Sequence, residues 1–287
     1  MSSTRPVAYT INHDGLKLDL AILESDKLHL HEEIIPEQLE GLKQSIIKTG
    51  LLESPVIVDR DSLVVLDGMH RVNIVRMLNC RFITVCMVNY FDKRITLGRW
   101  CRTIPKPFDL VKAIDEFSKM GYILKPAYGV NPLVKPDLFV VFGNGSYFVE
   151  VPDSDVVSIA KVAYDFELKL KKEGYLVGHA SEDDSSKLLA SGKIGSIICP
   201  PLISKEQVVK TATSGQVFAP KSTRHILPAR PMGVSVPLTL LNDQTINVEE
   251  ANTALRCILE KKKLTKLSPG SIFYGKKYDE TLYVFNF

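Results

Sequence analysis

The chain has 287 residues, 45% of them hydrophobic and 24% charged. That is an ordinary globular composition; it excludes a disordered or fibrous protein and leaves room for two domains. The 36 Lys and Arg against 33 Asp and Glu leave a net charge of +3, too near neutral for a protein whose main partner is a nucleic-acid backbone.

No apolar run approaches the roughly 20 residues of a membrane span, and the polar start MSSTRPVAYT does not read as a signal peptide. The five cysteines (Cys80, Cys86, Cys101, Cys199, Cys257) contain no C-x-x-C pair. They point to a reducing, cytoplasmic setting without a disulfide framework or a thiolate zinc site. The six histidines show no ligand spacing either, so no structural metal is expected.

In chain order, residues 18–23 read as a strand that leads to His31-Glu32-Glu33. Pro36 opens a helix with Leu39, Leu42, Ile46 and Ile47 on one face, and Gly50 follows its end. The apolar runs 55–58 and 63–66, around Asp59-Arg60-Asp61, read as a hairpin. A second helix begins directly after Asp67-Gly68, and residues 81–85 form another strand.

Further on, helices are predicted at 108–120, 155–172 and 205–213, with strands at 146–151 and 194–199. Gly143-Asn144-Gly145 reads as a hairpin turn and residues 219–231 as a polar, proline-rich loop. A helix at 248–261, a solvated basic run Lys261-Lys262-Lys263, and strands at 272–274 and 282–285 close the chain. The pattern is α/β (α+β) in three segments: a domain over 1–92, a second α/β domain over 93–233, and an extension over 234–287 that packs on the rest.

Three places could carry chemistry. At Leu66-Asp67-Gly68-Met69-His70-Arg71 a buried strand meets a helix through a glycine. The first helical N–H groups, the helix dipole, His70 and Arg71 suit an anion; the plain alternative is that Asp67 is an N-cap and Arg71 a surface partner. His31-Glu32-Glu33 offers a general base if folding brings it near that anion site, and otherwise serves a helix dipole and solvent. Thr223-Arg224-His225 groups a hydroxyl, a planar guanidinium and an imidazole, suited to a carboxylate or phosphate, or simply solvated. Trp100, the single tryptophan, has core packing as its default role.

Together, the Leu-His-Glu segment, the strand-Asp-Gly-x-His-Arg-helix junction and the Thr-Arg-His segment resemble the free serine kinases (SerK and SbnI type) of the ParB/sulfiredoxin fold. The likeness continues through Asn89-Tyr90-Phe91-Asp92, through the stretch from Gly215 to Pro228, and through Val236-Pro237-Leu238-Thr239-Leu240-Leu241. It implies a ParB/sulfiredoxin-like first domain and transfer of the terminal phosphoryl group of ATP or ADP, with Mg2+, to the hydroxyl of free L-serine.

By position, the resemblance makes Glu32 the general base, with Asp67 supporting it or placing magnesium. Gly68, Met69, His70 and Arg71 hold the nucleotide phosphates. Ser45, Trp100, Thr223, Arg224 and His225 shape the serine pocket, Arg224 taking the carboxylate. No G-x-x-x-x-G-K-[ST] loop is present, so the helix terminus must replace it. Met69 stands where the archaeal kinase has a first histidine and where sulfiredoxin needs a cysteine, so that redox activity is not expected. Two alternatives stand beside this reading: a ParB-like nucleotide-binding DNA regulator, and a kinase for threonine or homoserine.

Overall fold

The computed structural model describes residues 5–132, 137–152 and 154–286; the first four residues of the polar start lie outside them. Contacts divide the chain into two units, one of residues 1–96, 212–216 and 226–287, the other of residues 97–211 and 217–225. Where sequence reading draws three consecutive segments, the contacts join both ends of the chain in one unit and leave the second as an insertion.

The first unit is built on a five-stranded mixed sheet in the order Tyr9–His13, Leu16–Glu24, Phe82–Val88, Val56–Asp59, Val65–Asp67. Every residue of the central Phe82–Val88 strand is buried, as its unbroken apolar run requires. It runs antiparallel to Leu16–Glu24 and parallel to Val56–Asp59. Parallel neighbours need a crossover, and the helix Met69–Met77 lies on that connection. The predicted hairpin forms between Val56–Asp59 and Val65–Asp67, with Ser62 N–H and hydroxyl donating to Asp59 in the turn. Pro36 does open the next element, but as the 3-10 turn Pro36–Gln38; the α-helix itself is Leu39–Thr49.

The C-terminal residues complete this unit. Ala229–Met232, part of the expected loop, is a strand parallel to Thr281–Asn286, with Lys263–Leu267 antiparallel on the other side. Its proline is tolerated because it forms the edge of that sheet. Arg224–Ile226 is a strand as well, so only the rest of 219–231 is loop.

The helix Val248–Glu260 opens on a capping box of Asn247 and Glu250. Buried Asn252 accepts from Ile22 N–H at 2.9 Å and donates to Ile22 carbonyl at 2.8 Å. That residue lies past the point where Tyr9–His13 stops covering the strand edge. The basic run is not merely solvated. Lys262 Nζ donates to the carbonyls of Gly233 and Val234, both at 2.9 Å, and burial lowers its pKa. Gly233 is required there, since φ is 67° and a Cβ would lie 2.6 Å from the Phe285 carbonyl oxygen.

The second unit carries a six-stranded sheet in the order Gly178–Ala180, Cys101–Ile104, Ser196–Cys199, Phe139–Phe142, Gly145–Glu150, Ile123–Pro126. Every pairing in it is antiparallel. Gly143 and Asn144 make the two-residue turn of the expected hairpin. The helices Leu110–Lys119 and Val156–Lys172 start one residue after Asp109 and Asp155, which cap them through Lys112 N–H and Ser158 N–H. Phe117 and Phe166, one from each helix, stack at 3.8 Å. Among the described residues no helix is long and apolar enough to cross a membrane.

Candidate functional site

In the first unit, the strand Val65–Asp67 ends at Gly68, whose φ of 102° turns the chain into the helix starting at Met69. No side chain caps that helix, so Asp67 is not an N-cap. Its carboxylate instead accepts from two guanidinium groups at the same oxygen, Oδ2: Arg71 at 2.9 Å and Arg230 at 3.0 Å. Arg71 is no surface partner either. It donates to the carbonyls of Ser54 at 2.8 Å and Pro55 at 2.7 Å, and its guanidinium lies so close under Gly68 that a Cβ there would sit 2.7 Å from Nη2. Glycine is needed at this junction both for its φ and for that approach.

Burial alone would raise the Asp67 carboxyl, but Arg230, Arg71 and Lys276 outweigh it and hold the group at about 2. A carboxyl held below its ordinary 3.8 adds stability above that pH and loses it as the pH falls toward about 2. Asp67 is therefore ionised at neutral pH.

The Glu32 segment reaches this junction from the side. Residue 29 bridges Val64 in parallel, His29 N–H donating to Leu63 carbonyl and Val65 N–H to His29 carbonyl. His31 Nδ1 donates to Val65 carbonyl at 2.6 Å, and Ile35 N–H reaches His70 Nε2 at 3.4 Å. Glu32 is thus held between the end of the strand and the first turn of the helix. It is buried, as is His31, whereas Glu33 is exposed; only Glu33 behaves as a solvated acid before a helix.

Burial lowers the pKa of the His31 imidazole from its ordinary 6.5, outweighing Glu32 and the Val65 carbonyl, which raise it. Acid therefore protonates the unfolded chain first, and the contribution of His31 to stability, complete above that value, is lost below it. Melting temperatures measured from about pH 7.5 down to about pH 5 are expected to fall, and less steeply in His31→Gln.

A cavity of ≈ 260 Å³ opens at the junction. Ser45 and Thr49 line it from the Leu39–Thr49 helix, and Asp67 and Arg71 from the junction. Sequence reading misses Arg230, Lys276 and Tyr278, which also line it and come from the far end of the chain. Arg230 pairs with Glu280 as well as Asp67. No local pattern marks these residues. An arginine flanked by Ala229 and Pro231 in a proline-rich stretch looks like loop.

The other predicted residues belong to the second unit. Trp100 is only partly buried and lies beneath two cations, Lys221 at 5.5 Å and Arg224 at 5.3 Å from its ring centre, so core packing is not its role. Thr223 is buried, and Arg224 and His225 are half-buried. The segment before them is held by Arg102, which is fully buried and was not anticipated. Its guanidinium donates to Pro220 carbonyl at 2.9 Å, Lys221 carbonyl at 3.0 Å, Trp100 carbonyl at 3.2 Å and Glu167 Oε2 at 3.0 Å. Burial alone would raise Glu167, but His179, Arg102 and Lys171 hold it at about 2. Lys221 takes the left-handed φ of 61°, a conformation that persists only where neighbours fix it.

Asp67 also meets the requirement for magnesium contact. It is ionised, its side chain is 38% exposed, and both arginines occupy one oxygen. A magnesium ion that arrives with nucleotide needs only one or two protein carboxylates. Among the described residues there is no group of three or more His, Cys, Asp or Glu able to hold a metal ion.

No protein-family model matches the chain. It is 29% identical over 231 residues to an ATP-dependent L-serine kinase of Staphylothermus marinus, covering 77% of this chain and 90% of that one. It is 23% identical over 228 residues to the ADP-dependent L-serine kinase SerK of Thermococcus kodakarensis, covering 77% and 93%. In structure it matches a free serine kinase variant in complex with AMP, with a TM-score of 0.69 at 21% identity over 78% of this chain and 94% of the other. Both sequence relatives span nearly their whole length on this chain, and the fold match spans the same share. The chain is thus similar to L-serine kinases over about three quarters of its length and shares the fold of a free serine kinase.

Proposed function

We propose that the protein transfers the terminal phosphoryl group of ATP or ADP to the hydroxyl of free L-serine, giving O-phospho-L-serine. The observation that carries this reading is the junction of the first unit. An uncapped helix terminus, an ionised Asp67 between two arginines and a buried Glu32 meet at one end of one sheet. Phosphoryl transfer asks for such positioning and charge neutralisation more than for covalent chemistry.

The helix terminus from Gly68 to Arg71 receives the phosphates, with N–H groups as donors. Arg71 contributes chiefly by shaping that turn and holding Asp67. Asp67 would hold a magnesium ion brought by the nucleotide, which would supply charge neutralisation at the phosphates. Glu32 removes the proton of the serine hydroxyl as its oxygen bonds to the terminal phosphorus and the bond to the bridging oxygen breaks. Ser45, Trp100, Thr223, Arg224 and His225 provide the groups that read serine, Arg224 gripping the carboxylate as a planar fork. A cytoplasmic setting belongs to the same reading, motivated by five cysteines that are all free.

The test is incubation with ATP or ADP and a panel of serine, threonine, homoserine and serinamide, read by phosphorus NMR. O-phosphoserine is expected, with serinamide a poor acceptor. In Arg224→Ala the serine KM should rise strongly at unchanged nucleotide affinity, and Arg224→Lys should rescue it poorly. Phosphorylation of threonine or homoserine in preference to serine would redirect the substrate. No phospho-product, together with a salt-sensitive DNA complex, would replace the kinase with a nucleotide-binding regulator.

A further inference from the structure

The cavity of the first unit carries an unbalanced charge. Its lining holds three cations, Arg71, Arg230 and Lys276, against two carboxylates, Asp67 and Glu53. Arg71 and Arg230 are already committed to Asp67, and Arg230 also to Glu280. No carboxylate lies within salt-bridge distance of Lys276 among the described residues.

Lys276 is nevertheless not placed at random. It sits in a short hairpin of Ile272–Phe273 and Lys276–Lys277. The base of the hairpin is fixed by Gly270 N–H on Tyr278 carbonyl at 2.7 Å and Tyr278 N–H on Ser271 carbonyl at 3.0 Å. The Tyr278 ring then takes both Arg230, at 5.7 Å, and Lys276, at 5.1 Å. Sharing one aromatic ring with Arg230 holds the lysine at the mouth of the cavity, near the Asp67 end.

We propose that this C-terminal hairpin is part of the nucleotide site, with Lys276 as a phosphate-reading cation and Tyr278 as the aromatic wall that aims it. The inference rests on the kinase reading above. A lysine is a compact point charge suited to a phosphate that gains and loses charge during transfer, and its reward rises with each phosphate it faces. The hairpin thus distinguishes nucleoside from nucleotide, a task for which the paired arginines have no spare charge.

The test measures the affinities of adenosine, AMP, ADP and ATP by calorimetry for the wild type, Lys276→Met, Lys276→Arg and Tyr278→Leu. Lys276 is exposed, so Lys276→Met should fold normally. It is expected to bind ADP and ATP about tenfold more weakly, with adenosine unchanged and the serine KM at saturating nucleotide unaltered. Lys276→Arg should restore most of the affinity, and Tyr278→Leu should lose part of it in the same phosphate-dependent manner. Wild-type affinity of Lys276→Met for ADP and ATP overturns the role of Lys276. An equal loss for adenosine and ADP overturns phosphate reading. A wild-type protein that binds none of the four ligands overturns the kinase reading itself and this inference with it.

Discussion

Glu32→Gln is expected to bind ATP or ADP as the wild type does and to turn over at least about 10²-fold more slowly, in line with removal of a general base. The amide keeps the size of the buried side chain and removes its charge and its ability to take a proton. The variant should fold, because the segment is held by backbone and imidazole contacts on either side of it: His29 to the strand, His31 Nδ1 to Val65 carbonyl, and Ile35 N–H to His70. Two readouts separate catalysis from structure. Nucleotide affinity by calorimetry should be unchanged, and the loss should appear in kcat and kcat/KM together. Activity within a few-fold of the wild type would remove Glu32 from the reaction.

The second large effect is expected at Arg102. Arg102→Met breaks a fully buried ion pair and leaves the Pro220 and Lys221 carbonyls without their donor. Removing one partner of a buried pair costs about 3–5 kcal/mol, and the lower end applies because Glu167 keeps Lys171 and His179. Denaturant unfolding should report that loss. Kinetics should add something that lost stability does not predict: a serine KM raised at least about tenfold with nucleotide affinity unchanged, since the freed loop carries Thr223-Arg224-His225. Arg102→Lys sharpens the distinction. Lysine can renew the pair with Glu167, but one ammonium cannot also serve three carbonyls, so stability should recover while the serine KM stays high. If both recover together, Arg102 holds the fold and does not position the loop.

What could be read from residue order was whatever local chemistry writes. Asp109 and Asp155 mark helix starts because a carboxylate satisfies the first free N–H groups, and Gly143-Asn144 marks a hairpin because its turn favours such residues. The Asp67-Gly68 junction was visible for the same reason. The helix Glu182–Ala190 had a legible start, Ser181 followed by three acids, yet its weak apolar face hid it. The partners of the junction were not legible at all. Arg230 and Tyr278 meet Asp67 across more than half the chain, and Arg102 and Glu167 find each other only once a sheet and a helix have packed. Residue order alone gives Trp100 its default of core packing, since a lone tryptophan carries no hint of the cations that cover it.

The discontinuous first unit has a bearing on biosynthesis. Residues 97–211 and 217–225 all leave the ribosome before Arg230 does; the strands of the sheet that holds Asp67 are made first of all, whereas the small sheet that carries Arg230 must wait for the strand Thr281–Asn286. Vectorial synthesis therefore completes the inserted unit before the outer one, whose C-terminal sheet and helix Val248–Glu260 come last. Contacts this remote close slowly, and the strand edge at Ile22 waits meanwhile for Asn252. A chain paused anywhere before Arg230 has its Asp67 without the second guanidinium that fixes it.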